Sequence, residues 1–370
     1  GGWKIHKEEF FKNVKNISFL KLRGGYGELG NSEPAGDFAY NGTTSINSSN
    51  VIFGPDGTVD QISGSTVDFF PNPNLRWETI GMTNIALDAG FLQNKLWVTA
   101  EYYIKTTSDM IMDDNSLLNA WGVGGAARVN IGSMENRGFD LTINYQDVAG
   151  ELKYNFSTNI TKVTNKIIQL TANADQRIEG GAFHALEYYT LTEIGSQVGD
   201  FWGYEVEKIF QNHDEATMFT NENSLAEVHS GLGNTPTSMY GYGTTVDQGD
   251  YKFIDQNGDG IIDENDKVKI GSPYPDFTMG FTGDLSYKGF DFNLFLYWNY
   301  GNEIFNTVKT FTETPYEQTN MVSYMLTDAW RPDNPDATIA QLGGERQNNY
   351  ARSSNAFIED GSFLRFKNIS

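Results

Sequence analysis

The stretch that decides the fold is FDLTINYQDVAGELKYNFSTNI, residues 139–160. Apolar side chains occupy every second position of its first half: Phe139, Leu141, Ile143 and Tyr145. Polar side chains lie between them: Asp140, Thr142, Asn144 and Gln146. After the turn-like DVAG at 147–150, the same alternation continues. Because successive side chains of a β-strand point to opposite faces, the stretch predicts an antiparallel hairpin with one apolar and one polar face.

The same period of two recurs along the chain, at 96–104, 277–287 and 290–298. Eight strands of this kind are visible, whereas few stretches show the spacing of a helix. Short turns near 90–94, 147–150 and 288–289 join strands in pairs. Long polar stretches rich in Gly and Asn, at about 27–76, 106–136, 164–275 and 302–361, lie between the pairs. The sequence therefore predicts an all-β protein in which every second connection is long.

A transmembrane β-barrel explains this rhythm better than a soluble sandwich. Barrels of outer membranes have tight turns on one side and large loops on the other, with strands that alternate apolar and polar residues. Aromatic residues cluster at the strand ends, for example Tyr102–Tyr103 and Trp298–Tyr300, where a bilayer interface would hold them. We therefore expect an antiparallel up-and-down barrel with long extracellular loops, closed because a bilayer forbids open sheet edges.

Composition excludes several other classes of protein. The net charge of −22 opposes binding to nucleic acid, which is itself a polyanion. The chain has no cysteine, so disulfides and thiol chemistry are excluded. No apolar run approaches the length of a membrane-spanning helix. The first residue is not Met and the last residues, SFLRFKNIS, are strand-like, so we expect an internal piece of a longer protein.

A calcium-type loop occupies residues 255–266. Its oxygen-bearing side chains fall at EF-hand positions 1, 3, 5, 9 and 12, and the carbonyl of Ile261 would serve at position 7. The predicted ligands are Asp255, Asn257, Asp259, Ile261, Asp263 and Asp266. The flanks alternate like strands, so the loop lacks the two helices of a sensor. It predicts a structural Ca²⁺ site; the alternative is a turn whose Asp and Asn side chains cap their own backbone.

No catalytic constellation is recognisable, so we expect a protein that is not an enzyme. The four histidines show no metal-ligand spacing. Aromatic residues in the predicted outer loops could stack on sugar rings, although packing of loops against each other is the commoner role. These candidate substrate-binding residues are Trp121, Trp202, Tyr204, Tyr240 and Tyr242.

Eight segments, in order, resemble the barrel of SusC/RagA-type TonB-dependent outer-membrane transporters of Bacteroidetes. They are SFLKLRGGYGELGN (18–31), NPNLRWET (72–79), EYYIKTTSDMI (101–111), NIGSMENRGFDLTINY (130–145), VGDFWGYEVEKIFQN (198–212), YKFIDQNGDGIIDENDKVKIGSPYPDFTMGF (251–281), YKGFDFNLFLYWNYGNEIFN (287–306) and FIEDGSFLRFKNIS (357–370). The resemblance covers nearly all of 1–370 and is weakest in the predicted outer loops.

The resemblance implies the C-terminal part of a barrel of about 22 strands, without its plug domain and closing strand. It also implies residence in the outer membrane of a Gram-negative cell, with 164–275 as a long extracellular excursion that carries the loop 255–266. The implied activity is TonB-dependent import of glycan oligosaccharides or peptides. The implied partners are outer-membrane lipid, a SusD-like surface lipoprotein, and TonB through a segment absent here.

A secreted β-rich binding or adhesion module with a structural calcium site is the alternative. The two hypotheses differ in the surroundings of the apolar strand faces. In the barrel these residues face lipid, whereas in the module they form a dry core. The discriminating residues are Phe139, Leu141, Ile143, Phe292, Leu294 and Leu296.

Overall fold

The structure is a computed structural model of the chain. It describes residues 1–35, 44–53, 60–67, 72–114, 127–170, 177–182, 186–216, 224–225, 246–259, 261–314, 320–343 and 347–370. Antiparallel strands dominate these ranges, and helices are few and short. The prediction of an all-β chain is confirmed.

The strands are β1 (Gly2–Trp3), β2 (Ile17–Asn31), β3 (Thr44–Phe53), β4 (Asp60–Val67), β5 (Glu78–Phe91), β6 (Leu96–Asp114), β7 (Ala127–Ala149), β8 (Leu152–Gln169), β9 (Ile178–Gly180), β10 (Thr190–Thr192), β11 (Asp200–Gly203), β12 (Val206–Ile209), β13 (Ser224–Leu225), β14 (Tyr251–Phe253), β15 (Ile261–Ile262), β16 (Val268–Gly271), β17 (Phe277–Tyr287), β18 (Phe290–Tyr300), β19 (Glu303–Phe305), β20 (Ile358–Asp360) and β21 (Phe363–Ile369).

The helices are α1 (Lys309–Thr312) and α2 (Met325–Asp328), with a further helical turn at 213–216. Short 3₁₀ segments lie at Ile5–Lys7, Glu9–Phe11, Glu33–Ala35, Glu264–Asp266 and Asn355–Phe357, and a π-helical segment lies at Gln347–Ala351. Within the described ranges, no helix combines the length and the apolarity needed to cross a bilayer.

The chain divides into two compact units. The first comprises residues 1–176, 281–293 and 370. Its strands β2, β5, β6, β7 and β8 each pair antiparallel with the next one along this series. Tight turns join β5 to β6, β7 to β8 and β17 to β18, at the three places that the sequence predicts. Gly150 and Gly289 adopt positive φ in two of these turns, a conformation that glycine takes more readily than residues with a Cβ atom. We call these paired strands the meander.

The strands of the meander are longer than their apolar alternation indicates. β6 has 19 residues and β7 has 23, although about ten suffice to cross a bilayer. Their pairing continues through Met110↔Gly132 and Asp114↔Ala127. The predicted loop at 106–136 therefore begins and ends with strand. The hydrogen bonds of a β-ladder join backbone groups, so polar residues can continue the pairing. The alternation of side chains in the sequence therefore does not show where these strands end.

The second unit comprises residues 177–280 and 294–369. It contains a four-stranded sheet in the order β16-β11-β10-β9 and two strand pairs, β12–β14 and β19–β20. In the same unit, β21 pairs with β18. Two buried apolar clusters fill it, one around Tyr204, Phe210 and Phe253, the other around Phe201 and Phe305. Strands β11 and β12 follow each other closely, with only Tyr204 and Glu205 between them.

Candidate functional site: the two faces of the meander

The apolar face of the meander is open. Phe139 is 42% exposed and Phe292 is 44% exposed, and Leu141 and Ile143 are half-buried. In the second unit, Leu294 and Leu296 are also half-buried. None of these six residues belongs to the buried core. A dry core built from them, which the binding-module hypothesis requires, is therefore not what the structure shows.

Charged residues are paired on the opposite face. The guanidinium of Arg23 donates to Glu101 at 2.7 Å and lies 3.4 Å from Asp88. Asn84 donates its amide to the other oxygen of Glu101 at 2.8 Å. Strands β2, β5 and β6 supply these groups, and Asp140 lies opposite Glu101 on β7. Because of this register, polar residues of neighbouring strands lie side by side and form a continuous polar surface.

A second group of polar side chains lies nearer the short turns. Asn144 donates to Asn155 at 3.0 Å, and Asn155 donates to Asp284 at 3.1 Å. Asn293 donates to the other oxygen of Asp284 at 2.5 Å. A cavity of about 760 Å³ lies beside this chain of amides, with Lys153 and Tyr154 also in its wall. Such a surface offers hydrogen-bond donors and acceptors to a polar solute, or to water, along its length.

The side chains of the calcium-type loop accept hydrogen bonds from backbone amides of the same loop. Asp255 accepts from the amide of Gly258 at 2.7 Å, and Asn257 accepts from Asp259 at 2.8 Å. Asp263 caps the 3₁₀ turn that follows it, in a reciprocal capping box with Asp266. These contacts are those of the alternative in which Asx side chains cap the turn.

Asp266 is the buried anchor of that loop. It is fully inaccessible, and its oxygens accept from the amides of Gln256 at 2.9 Å and Asp263 at 2.7 Å. Among the described residues, no group of three acidic or histidine side chains is placed to hold a metal. Carboxylate, amide and backbone carbonyl oxygens are the ligands that Ca²⁺ takes in proteins, so the donor set is chemically suited to this ion. The Ca²⁺ site stays a prediction.

The aromatic candidates for substrate binding have different surroundings. Trp121, Tyr240 and Tyr242 lie outside the described residues. Tyr204 is only 2% exposed, and Lys267 and Arg352 lie over its ring at 5.4 and 5.0 Å. Burial raises the pKa of its phenol far above the ordinary value. This ring is a core residue here, with no face open to a sugar. Trp202 is half-buried and lines a small cavity.

The sequence gives no sign of the buried ion pair beside Tyr204. Lys267 donates to Glu187 and to Glu264, each at 2.9 Å. The second oxygen of Glu187 accepts from the amide of Ser353 at 2.8 Å. Burial raises the pKa of the Glu187 carboxyl, and the neighbouring cations oppose that rise. Eighty positions separate Glu187 from Lys267, so no local motif could have indicated the pair.

Comparison with known proteins agrees with the motifs. No family model matches the chain. Over 100% of its length it is 30% identical to TonB-dependent receptor P3 of Formosa agariphila and, again over 100%, 29% identical to TonB-dependent receptor SusC of Bacteroides thetaiotaomicron. It covers 33% of each, so the chain spans about a third of the length of these curated relatives.

Solved structures share the fold. The RagAB peptide transporter superposes with a TM-score of 0.71 at 22% identity, over 100% of this chain and 36% of that one. The "open-open" state of the RagAB peptide importer gives 0.71 at 23%, over 100% and 35%. Sequence relatives and shared fold both agree with the resemblance of the motifs to TonB-dependent receptors of the SusC/RagA type.

Proposed function

We propose that this chain forms part of the wall of an outer-membrane transporter that imports a nutrient solute into a Gram-negative cell. The observation that carries the proposal is the two-faced meander. Its apolar face is exposed, as contact with lipid requires, and its polar face is hydrogen-bonded, as the wall of a water-filled channel requires. The relatives are named as receptors, which supports the proposal and agrees with a role other than catalysis.

In this proposal, energy comes from TonB and a SusD-like surface lipoprotein covers the outer mouth. Similarity to the RagAB peptide transporter and to the receptor SusC supports it. The substrate is accordingly a glycan oligosaccharide or a peptide, and the long segment 164–275 lies on the extracellular side. Co-purification from detergent-solubilised outer membranes tests the partner: a lipoprotein in equal amount is expected, and its absence contradicts the partnership.

Calcium belongs to the same proposal. We infer that the loop 255–266 binds a structural Ca²⁺ ion that stabilises the segment around it. The support is the spacing of its oxygen ligands, together with the exposed positions of Asn257 and Asp259 at the surface of the turn. A bound cation would relieve the repulsion among the four carboxylates of the predicted ligand set, which lie within twelve residues.

Adjacent residues on the two faces test the membrane assignment. Leu141→Arg places a cation on the lipid face, which we expect to destabilise the inserted protein by about 2–4 kcal/mol near the middle of the bilayer. Thr142→Arg places the same cation on the polar face and serves as the matched control. The measurement is urea unfolding of the full-length protein in lipid vesicles.

Equal costs for the two arginines would contradict the assignment. A protein that stays monodisperse without detergent would contradict it as well, because the apolar face would then have to be covered by protein. Retention of outer-membrane insertion by Thr142→Arg, with loss for Leu141→Arg, is the expected result.

A further inference from the structure

A group of cations on the apolar face of the meander carries an inference beyond the transporter wall. On β7, Arg137 and Glu135 lie two and four positions before Phe139, so their side chains share its face. On β8, Lys162 lies directly opposite Phe139, and Lys166 lies directly opposite Glu135. The face proposed to contact lipid therefore ends in charged residues on the side away from the short turns.

The register brings these cations together in one place, which we call the basic patch: Arg137, Lys162 and Lys166. Thr164 lies opposite Arg137, so the two lysines are the diagonal neighbours of the arginine, at about 7–8 Å and within reach of long side chains. All three cationic side chains are exposed. Among the residues that the structure describes, neither lysine lies in an ion pair, whereas Arg137 lies 2.7 Å from Glu135. Three positive charges and one negative charge leave a net charge of +2.

The positive charge of the patch stands out against the rest of the molecule. The whole chain has a net charge of −22. The basic residues of β2 and β6 lie on the polar face, where Lys21 is opposite Asp88 and Lys105 is opposite Asn136, and β5 contains none. Excess cations on an apolar face of an acidic protein favour an anionic partner that also has an apolar part.

The patch lies about one hydrocarbon thickness from the short turns. Asp147, ten residues after Arg137 on the same face of β7, pairs with Lys95 beside those turns at 2.6 Å. Ten residues that rise about 3.4 Å each and tilt by about 40° span about 26 Å, which matches the apolar band of about 25 Å in outer-membrane barrels. Tyr102, opposite Phe139 on β6 and 41% exposed, supplies the aromatic ring typical of a membrane boundary. The patch therefore lies where the headgroups of the far leaflet would begin.

We propose that the basic patch binds the phosphate-bearing headgroup of a membrane lipid in the outer leaflet. A guanidinium binds phosphate through two parallel hydrogen bonds, and a lysine ammonium binds it as a point charge. Arg137 shares one space with Lys162 and another with Lys166, so each space surrounds one phosphate with two cations. The acyl chains of the same lipid lie against Phe139 and Ile160, the apolar residues next to the patch on the same face. Only the placement in the outer leaflet rests on the proposed function; the affinity for the headgroup does not.

The test is native mass spectrometry of the full-length protein in detergent, titrated with diphosphoryl lipid A and with the same lipid after its phosphates are removed. We expect the phosphorylated lipid to bind at least about tenfold more tightly. Lys162→Gln with Lys166→Gln should weaken its binding about 25-fold, because each basic residue near an anionic membrane surface contributes about fivefold. Lys21→Gln with Lys105→Gln removes the same charge from the polar face and is the matched control, expected to leave binding unchanged.

A variant that gains affinity separates lipid binding from a purely structural role. Glu135 occupies part of the hydrogen-bonding capacity of Arg137 and opposes the charge of the patch. Glu135→Gln should therefore tighten binding of diphosphoryl lipid A about fivefold. Glu28→Gln removes the same charge from the same face on β2, three strands away, and should leave binding unchanged.

Several results would overturn the proposal. They are equal binding of the two forms of lipid A, binding that survives the loss of both lysines, and a Glu135→Gln variant that binds no more tightly than the wild type. Displacement of the lipid by inorganic phosphate would indicate a site for a soluble anion instead and would overturn it as well. Membrane insertion is scored on the same samples. Inserted protein that does not prefer the phosphorylated lipid refutes the headgroup site alone, whereas protein that fails to insert refutes the transporter wall.

Discussion

Replacing Lys267 by methionine should expose the energetic role of the buried ion pair. The side chain of Lys267 is 5% exposed and that of Glu187 is 10% exposed, and 2.9 Å separates their charged atoms. Methionine keeps most of the volume and removes the charge. Glu187 then keeps its hydrogen bond from Ser353 and the cation of Arg352 nearby, but it loses its direct partner.

The magnitude follows from that burial. Removing one partner of a buried pair typically costs about 3–5 kcal/mol, because the remaining charge stays out of water. Residual attraction from Arg352 places the expected value at the lower end, about 3 kcal/mol. The double change Glu187→Gln with Lys267→Met removes both charges, and Gln can still accept from Ser353. We expect it to recover most of the loss.

The loss should depend on pH with a defined sign. Burial raises the pKa of Glu187 in the folded protein. A carboxyl with a raised pKa binds its proton more tightly in the folded than in the unfolded state. Its contribution to stability therefore falls as pH rises from the ordinary value, about 4.3, through the folded pKa. Lys267→Met removes a cation that opposes the rise, so its cost should be greatest at neutral pH and shrink toward pH 5.

Hydrogen exchange of amides in β11, β12 and β14 gives the local opening free energy, because such measurements resolve regions that open separately. Lys288→Met is the matched control. Lys288 pairs with Glu151 at 3.0 Å, but both side chains are more than half exposed, so a change of less than about 1 kcal/mol is expected. Equal losses for the single and double variants, or a loss that does not vary with pH, would refute the reasoning.

Two further perturbations test the second unit. Gly203→Ala should destabilise it by about 1–3 kcal/mol in thermal melts, because the added methyl would overlap the backbone carbonyl of Ser353; Gly27→Ala, where the methyl meets open space, is the control, and equal effects would refute the packing argument. Calcium at about 100 times its Kd should stabilise the wild type by about 2.7 kcal/mol and leave Asp255→Ala with Asp259→Ala unchanged; a wild type that ignores calcium contradicts the site.

The strand pattern was predictable because it is local. Phe139, Leu141 and Ile143 alternate with polar residues, and the structure leaves their face uncovered. The turn at Gly150 was equally visible, since a short polar break with glycine between two alternating runs indicates a hairpin. Strand ends were less predictable, because β6 and β7 continue where the apolar alternation stops.

The surroundings of the aromatic residues could not be read in the same way. Trp202 and Tyr204 are two positions apart and look equally suited to stacking on a ligand. Tyr204 is covered by Lys267 and Arg352, whereas Trp202 lines a cavity because a bulge moves it opposite Lys269. The residues that determine whether each ring is covered lie more than sixty positions away in the sequence. The residues next to Trp202 and Tyr204 in the sequence do not indicate this difference.

Local sequence was enough to establish the two-faced strands, their tight turns and their order along the chain. These follow from backbone geometry within a few residues, since every strand must send successive side chains to opposite sides. The folded chain was needed to decide which loop residues are buried and which charge meets Glu187. Those outcomes depend on contacts between distant segments, whose free energies appear only when the segments are brought together.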